Sequence, residues 1–407
     1  MSLVCGIDWS EQHHDIAVVD AAGAVVAKAR VSNDANGFTR LLQLLASVGD
    51  NAEAPIPVAI ETDRGLWVAC LRSTGRKIYP INPLAASRYR ARHTVTRAKS
   101  DHADAVMLAN IIRTDQAAHR ELPGDSDLAQ AVRVLARAQQ DAVWARVQIG
   151  NQLRSLLRDY YPAALLAFQA LPDGGLARPE ARAILTAAPT PAQAAKLTLA
   201  QLERLLKRAG RVRFLDRDAK RYQAIFRNSH LRQPQLVEDA MGIQMKALLR
   251  QFDAACQAAD ELATAVAAHF EQHPDAEIIS SFPGLGVLAG ARVLAEIGDD
   301  RTRFTDARGM KAYAGSAPIT RASGKKTVIT YRQIKNNRLA AVCPIWTLTA
   351  IRSSQGARRH YDRRRAAGDW HRAAQRNLFN KLIGQLYHCL QTRQTFNESI
   401  AFPPVPA

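Results

Sequence analysis

Acidic residues are scarce where basic ones are dense. Residues 301–407 hold 20 Lys or Arg against four acids (Asp306, Asp362, Asp369 and Glu398), a surplus of +16 within a net charge of +18 for the 407 residues. The first 300 residues are therefore near balance, at +2. So concentrated a surplus repels itself unless a polyanion offsets it, and nucleic acid is the partner this composition favours. An anionic membrane surface fits less well, because the cations are spread through mixed sequence and do not line one amphipathic helix. Cysteine is sparse: Cys5, Cys70, Cys256, Cys343 and Cys389 form no close pair, which argues against a disulfide framework and against a zinc site. No apolar run approaches the ~20 residues that span a bilayer. "MSLVCGIDWSEQ" also lacks the basic start and apolar core of a secretory signal. A soluble, cytoplasmic protein with no membrane partner is the expectation.

The length allows two or three domains at ~100–200 residues each. Near the amino terminus "LVCGIDW", "HDIAVVD" and "AVVAKARV" read as three strands in meander, followed by a helix over "NGFTRLLQLLASV". "IPVAIE" and "KIYPINP" read as further strands around a helix in "GLWVACLRSTG". This describes a mixed α/β sheet and a first domain over 1–120. From about 126 the pattern becomes helical, with Leu128, Val132, Leu135, Val143, Val147 and Leu153 as an apolar seam. A second long helix is expected from about 234 to 272, so 121–274 reads as an antiparallel helical arm of coiled-coil type, though without a strict heptad. Residues 162–232 read as helical with no clear boundaries, and 275–400 as a mostly helical carboxy-terminal domain.

Four carboxylates stand out. Asp8 follows Val4, Cys5 and Ile7 in an apolar strand, where an unpaired carboxylate costs several kcal/mol. Glu61 ends the apolar run "IPVAI" in the same way. In "KSDHADAVML", Asp101 and Asp104 lie on one side of a helix and continue the stripe of Ala105, Leu108 and Ile112. As a helix start, that pair also serves as N-cap and N3 acid, with no further purpose required. Together the four acids would repel one another unless cations bind, and hard oxygen donors select Mg²⁺ or Mn²⁺. The preceding "SRYRARHTVTRAK", with Arg92, Arg97 and Lys99, reads as a phosphate-contacting approach or as a solvated basic loop.

In the carboxy-terminal third, "FPGLGVLAGARVLAEIGD" places Gly284 and Gly286 between an apolar lead-in and a helix of small residues. This reads as a helix–hairpin–helix offering backbone N–H groups to a phosphate, or as an ordinary turn between helices. Further on, Ser323 precedes Gly324 in an expected loop, ringed by Arg321, Lys325, Lys326, Arg332, Lys335 and Arg338. A serine hydroxyl among fixed cations suits attack on a phosphodiester, although Ser-Gly is also an ordinary turn pair.

The order of strands and acids resembles the ribonuclease H-like fold of RuvC-type Holliday-junction resolvases, whose Asp, Glu and helical carboxylate pair form a metal site. The DEDD set, the helical spacer, "FPGLG", "YAGSAP" and "ASGK" followed by "KNNRL" together resemble the serine-and-DEDD insertion-sequence transposases. These are the insertion-sequence one-hundred-and-ten family, also called bridge recombinases, which includes Piv-type invertases. The resemblance covers about 3–115 and 280–350. It implies a bacterial, nucleoid-associated recombinase with Asp8, Glu61, Asp101 and Asp104 as the Mg²⁺ or Mn²⁺ ligands. It implies Ser323 as the nucleophile that becomes joined to double-stranded donor and target DNA, and Ser316 in "GSAP" as a bystander. It further implies a structured noncoding bridge RNA that selects both DNAs by pairing, and a homo-oligomer, dimer to tetramer. A junction resolvase using only the acids, and a non-catalytic nucleic-acid-binding protein, are the competing readings.

Overall fold

The computed structural model describes residues 3–93, 101–169, 175–324 and 326–403. The chain falls into two compact units, Met1–Gly124 and Asp125–Ala407. The first contains β1 (Val4–Trp9), β2 (His13–Val19), β3 (Val25–Ser32), α1 (Ala35–Ser47) and β4 (Val58–Ile60). It continues with α2 (Leu66–Ser73), β5 (Ile78–Pro80), α3 (Pro83–His93) and α4 (Asp101–Asp115). The strands form one mixed sheet in the order β3-β2-β1-β4-β5. β1, β2 and β3 are antiparallel neighbours, while β4 and β5 add in parallel.

Alternation along each strand gives the sheet two apolar faces. Cys5, Ile7, Val58 and Ile60 pack with Leu41 and Leu45 of α1 and Trp67 and Leu71 of α2. Val4 and Ala59 instead share a core with Leu108, Ala109 and Ile112 of α4. α4 lies so close to β1 that a Cβ on Gly6 would overlap the Ala105 carbonyl oxygen and stand 2.5 Å from the Ala109 nitrogen. Only glycine permits that approach.

The second unit is built on two long helices, α5 (Asp127–Tyr160) and α11 (Gln235–Glu271). Each is roughly 50 Å long at 1.5 Å per residue. They run antiparallel: Val132 shares a core with Phe270, and Gly150 abuts the Phe252 ring. Between them lie α6 (Pro162–Gln169), α7 (Pro179–Ala187), α8 (Pro191–Ala195), α9 (Leu199–Arg208) and α10 (Leu215–Arg227). Their boundaries are local: Thr190 caps α8, and Thr198 with Gln201 forms a capping box on α9. These short helices enclose one core, including Tyr160, Phe168, Leu202, Tyr222 and Leu249.

A separate core holds the remainder. It gathers α12 (Ala276–Ser280), α13 (Val287–Ile297), α14 (Ala307–Tyr313), α15 (Asn337–Ser353), α16 (Gln355–Ala366), α17 (His371–Thr392) and α18 (Glu398–Ala401). Phe282, Leu294, Trp346, Phe379 and Leu382 are among its buried side chains. An antiparallel hairpin of β6 (Ile319–Ser323) and β7 (Lys326–Thr330) stands between α14 and α15 in the chain.

Candidate active site

Register and direction bring the acidic positions of the first unit to one end of the sheet. Ile7 pairs with Ile60 across the parallel β1–β4 ladder, so Asp8 and Glu61 follow side by side on strands ~4.8 Å apart. Gly6 and Ala59 face α4, and the two-residue repeat within β1 turns Asp8 to that same face, while Glu61 is the first residue past β4. α4 runs opposite to β1: near its carboxy end, Arg113 Nη1 donates to the Ala21 carbonyl at 3.1 Å, in the turn after β2. That turn lies beside the start of β1, where Val4 pairs with Val19. The amino end of α4, with Asp101 and Asp104, therefore lies over the end of β1 that carries Asp8.

Burial sets the electrostatics there. Asp8 and Glu61 are half-buried, whereas Asp104 is only 4% exposed. A buried carboxylate needs a partner, and Arg90 of α3 supplies it, donating to Asp104 Oδ1 from Nε at 3.1 Å and from Nη2 at 2.6 Å. Sequence reasoning missed both Arg90 and a further acid, Asp15. Asp15 sits directly opposite Asp8 on β2, buried, with Arg30 Nη2 donating to its Oδ2 at 2.7 Å. An Asp at the head of the apolar run "IAVV" was the available signal. Beyond it, on the other face, burial lowers the pKa of His14, which packs edge-on to Trp67. Among the described residues no three His, Cys, Asp or Glu side chains converge closely enough to enclose a metal ion. The side chains of Asp101 and Arg92 lie outside the described residues, as do Arg97, Lys99 and Lys325 entirely. In donor type the acids fit a hard divalent cation, carboxylate oxygens being the ligands such ions take.

In the second unit Ser323 ends a strand and does not sit in a free loop. It pairs with Lys326 across the hairpin, so the two side chains share a face, and Arg321, two residues before, joins them. All three are exposed, and Gly324 takes the turn at φ +56°. The hairpin shows no apolar alternation because neither of its faces is covered, which is why its strands read as loop in the sequence. Its exit is fixed by Asn336, which caps α15 and donates to Glu296 Oε2 and to the Tyr313 hydroxyl, each at 2.6 Å. Arg137 holds both Glu296 oxygens at 2.8 Å.

The other expected phosphate contacts scatter. Arg338 is committed to α5, donating to Asp141 at 2.9 Å and lying 5.2 Å from the Trp144 ring centroid. The Lys335 stem crosses Gly315, and Arg332 Nε is buried without a hydrogen-bond partner. Gly284 is pressed on the backbone of α15, 2.5 Å from the Ala350 nitrogen to an added Cβ, whereas Gly286 is exposed at the start of α13 and has open space around it. The lead-in α12 is only five residues long. Ser316 is buried, its hydroxyl bonded to the Lys311 carbonyl at 3.1 Å and Asn380 Oδ1 at 3.0 Å.

Comparison with known proteins meets this geometry from outside. Residues 5–162 match the family model of IS110-type DEDD transposases. Residues 276–362 match the model described as "Transposase IS116/IS110/IS902 family". The chain is 62% identical over 405 residues to the mini-circle putative transposase for IS117 of Streptomyces coelicolor, covering 100% of this chain and 98% of that one. It is 28% identical over 414 residues to the 44.8 kDa protein of insertion element IS116 from Streptomyces clavuligerus, covering 98% and 96%. With the 42 kDa protein of IS900 from Mycobacterium paratuberculosis the identity is 26% over 404 residues, 96% of each.

Proposed function

The chain belongs to the IS110/IS116/IS902 family of insertion-sequence transposases, proteins that cut and rejoin DNA, and we propose how its residues divide that work. The first unit is a ribonuclease H-like domain of RuvC type, a reading supported by its three-strand meander extended in parallel by β4 and β5. Asp8, Glu61, Asp101 and Asp104 hold Mg²⁺ or Mn²⁺. The observation that carries this is the pairing of Ile7 with Ile60, which sets Asp8 and Glu61 one residue beyond on adjacent chains, with the acidic amino end of α4 over that end of β1. When bound, the ion supplies Lewis acidity toward the scissile phosphate. Arg90 neutralises Asp104 and orients its carboxylate.

Ser323 is the nucleophile. Its oxygen bonds to phosphorus as a bridging P–O bond of the DNA breaks, and the hydroxyl proton ends on the released DNA oxygen. Arg321 and Lys326, on the same face of the hairpin, stabilise the charge that develops on the phosphoryl oxygens. Rejoining reverses the step with a different DNA end. Residues 121–274 form the arm, and 275–400 the serine domain. A structured bridge RNA selects donor and target by base pairing, and the protein works as a dimer or tetramer. The test is a covalent protein–DNA adduct on denaturing electrophoresis. Ser323→Ala removes it; Ser316→Ala keeps it, because that hydroxyl is occupied in the core. An adduct that survives Ser323→Ala and maps to another residue overturns the assignment.

A further inference from the structure

Three cations gather on the second unit, and among the described residues no ion pair joins an acid to any of them. Lys311 of α14 reaches onto α17, its Nζ 2.8 Å from where a Cβ on Gly384 would stand. Lys381 lies one turn earlier on the same face of α17, its Nζ 5.3 Å from the Phe402 ring centroid. Arg363 comes from α16, its Nη2 3.2 Å from His360 Nδ1, and His360 Nε2 is 2.9 Å from Asn377 Oδ1 on α17. Asn377, Lys381 and Gly384 follow at helical spacing along α17, so the three cations meet along one face, and burial, then Arg363 and Lys311, lowers the pKa of the Lys381 ammonium. The four acids beyond residue 300 are all engaged elsewhere. Asp306 caps α14, Asp362 pairs with Arg358, Asp369 pairs with Arg364, and Glu398 accepts from Ser354 and Gly356. Among the described residues neither lysine ammonium has an ion-pair partner.

Like charges from three helices are unfavourable together unless an anion bridges them. The cluster is also tied through the core to the segments that flank the serine hairpin. Asn380, beside Lys381, accepts the Ser316 hydroxyl, and Gly315, beside Ser316, lies under the stem of Lys335, five residues beyond β7. We propose that Lys311, Arg363 and Lys381 form a binding site for one phosphodiester of a nucleic-acid strand. This rests on reading the second unit as the part that handles nucleic acid, not on which serine reacts.

The experiment measures binding of the full chain to duplex DNA and, separately, to a stem–loop RNA across a salt series. Lys311→Met with Lys381→Met keeps the apolar stems and removes both charges. Each phosphate that is no longer neutralised makes the slope of log K against log salt shallower, by about 0.9 for duplex DNA or about 0.7 for single-stranded segments. The nucleic acid whose slope changes identifies the strand that docks there. Without nucleic acid, the variant melts at or above the wild-type temperature, because repulsion has been relieved. Should the double variant fail to fold, Arg363→Gln alone shifts the slope in the same direction by a smaller amount. Unchanged slopes on both nucleic acids overturn the proposal. Ser323→Ala protein gives the same slopes as wild type, so failure here leaves the adduct assignment standing, and the reverse holds too.

Discussion

Asp104 and Asp8 differ in how their charge is met. Asp104 is buried and held by Arg90, so Asp104→Asn leaves a guanidinium facing a neutral amide. Arg90 is partly exposed, so water screens much of that loss, and about 1–3 kcal/mol of stability is expected to go. Denaturant titration reads it directly. Asp8 is less buried and follows Ile7 at the end of the β1–β4 ladder, as Glu61 follows Ile60, the position from which the proposed shared cation gains most. Mg²⁺ or Mn²⁺ at 100 times its dissociation constant stabilises a folded protein by about 2.7 kcal/mol, provided the unfolded chain does not bind it. The wild type is therefore expected to melt several degrees higher with the metal, and Asp8→Asn by clearly less. Equal shifts in the two proteins would sink the shared site.

The packing of β1 on α4 is what turns separate acids into a site. Gly6→Ala forces an added methyl group against the backbone of Ala105 and Ala109, which no rotamer change can relieve. Overpacking of this kind costs about 1–3 kcal/mol, and the helix must move away from the strand that carries Asp8. We expect Gly6→Ala to abolish DNA cleavage while circular dichroism still reports a folded chain; retained cleavage would mean that the spacing of α4 from β1 is not critical. Much of this unit was legible in the sequence. "VCGIDW" and "HHDIAVV" show their burial directly, and Asp8 is conspicuous because it interrupts an apolar strand. The partner of Asp104 was not legible, because Arg90 lies 14 residues away on another helix and one arginine among several carries no mark. The long α5 and α11 were readable from their apolar seams. The helices between them were not, since Phe168, Leu202 and Tyr222 become a stripe only once α6, α9 and α10 have closed on one another. The β6–β7 strands left no signal for the opposite reason: they bury almost nothing.

Across the whole chain, the acids and the serine are carried by different compact units, Asp8 by Met1–Gly124 and Ser323 by Asp125–Ala407. A chain divided this way can complete its chemistry within one protomer or between two. In the proposed oligomer the two cases separate by mixing inactive variants. Asp8→Asn protein keeps Ser323, and Ser323→Ala protein keeps Asp8. If each reaction centre needs both groups from one chain, no protomer in the mixture has them, and no adduct forms. If a centre takes Asp8 from one protomer and Ser323 from its partner, random equimolar assembly leaves about a quarter of the centres intact. We expect the second result: neither variant alone forms the covalent adduct, and the mixture recovers up to about a quarter of the wild-type yield. The adduct should sit only on the Asp8→Asn chain, since that chain alone retains the nucleophile, and a size tag on one variant makes the assignment visible on the gel. A mixture as inactive as its components, with assembly confirmed by the tag, would place both groups in one protomer.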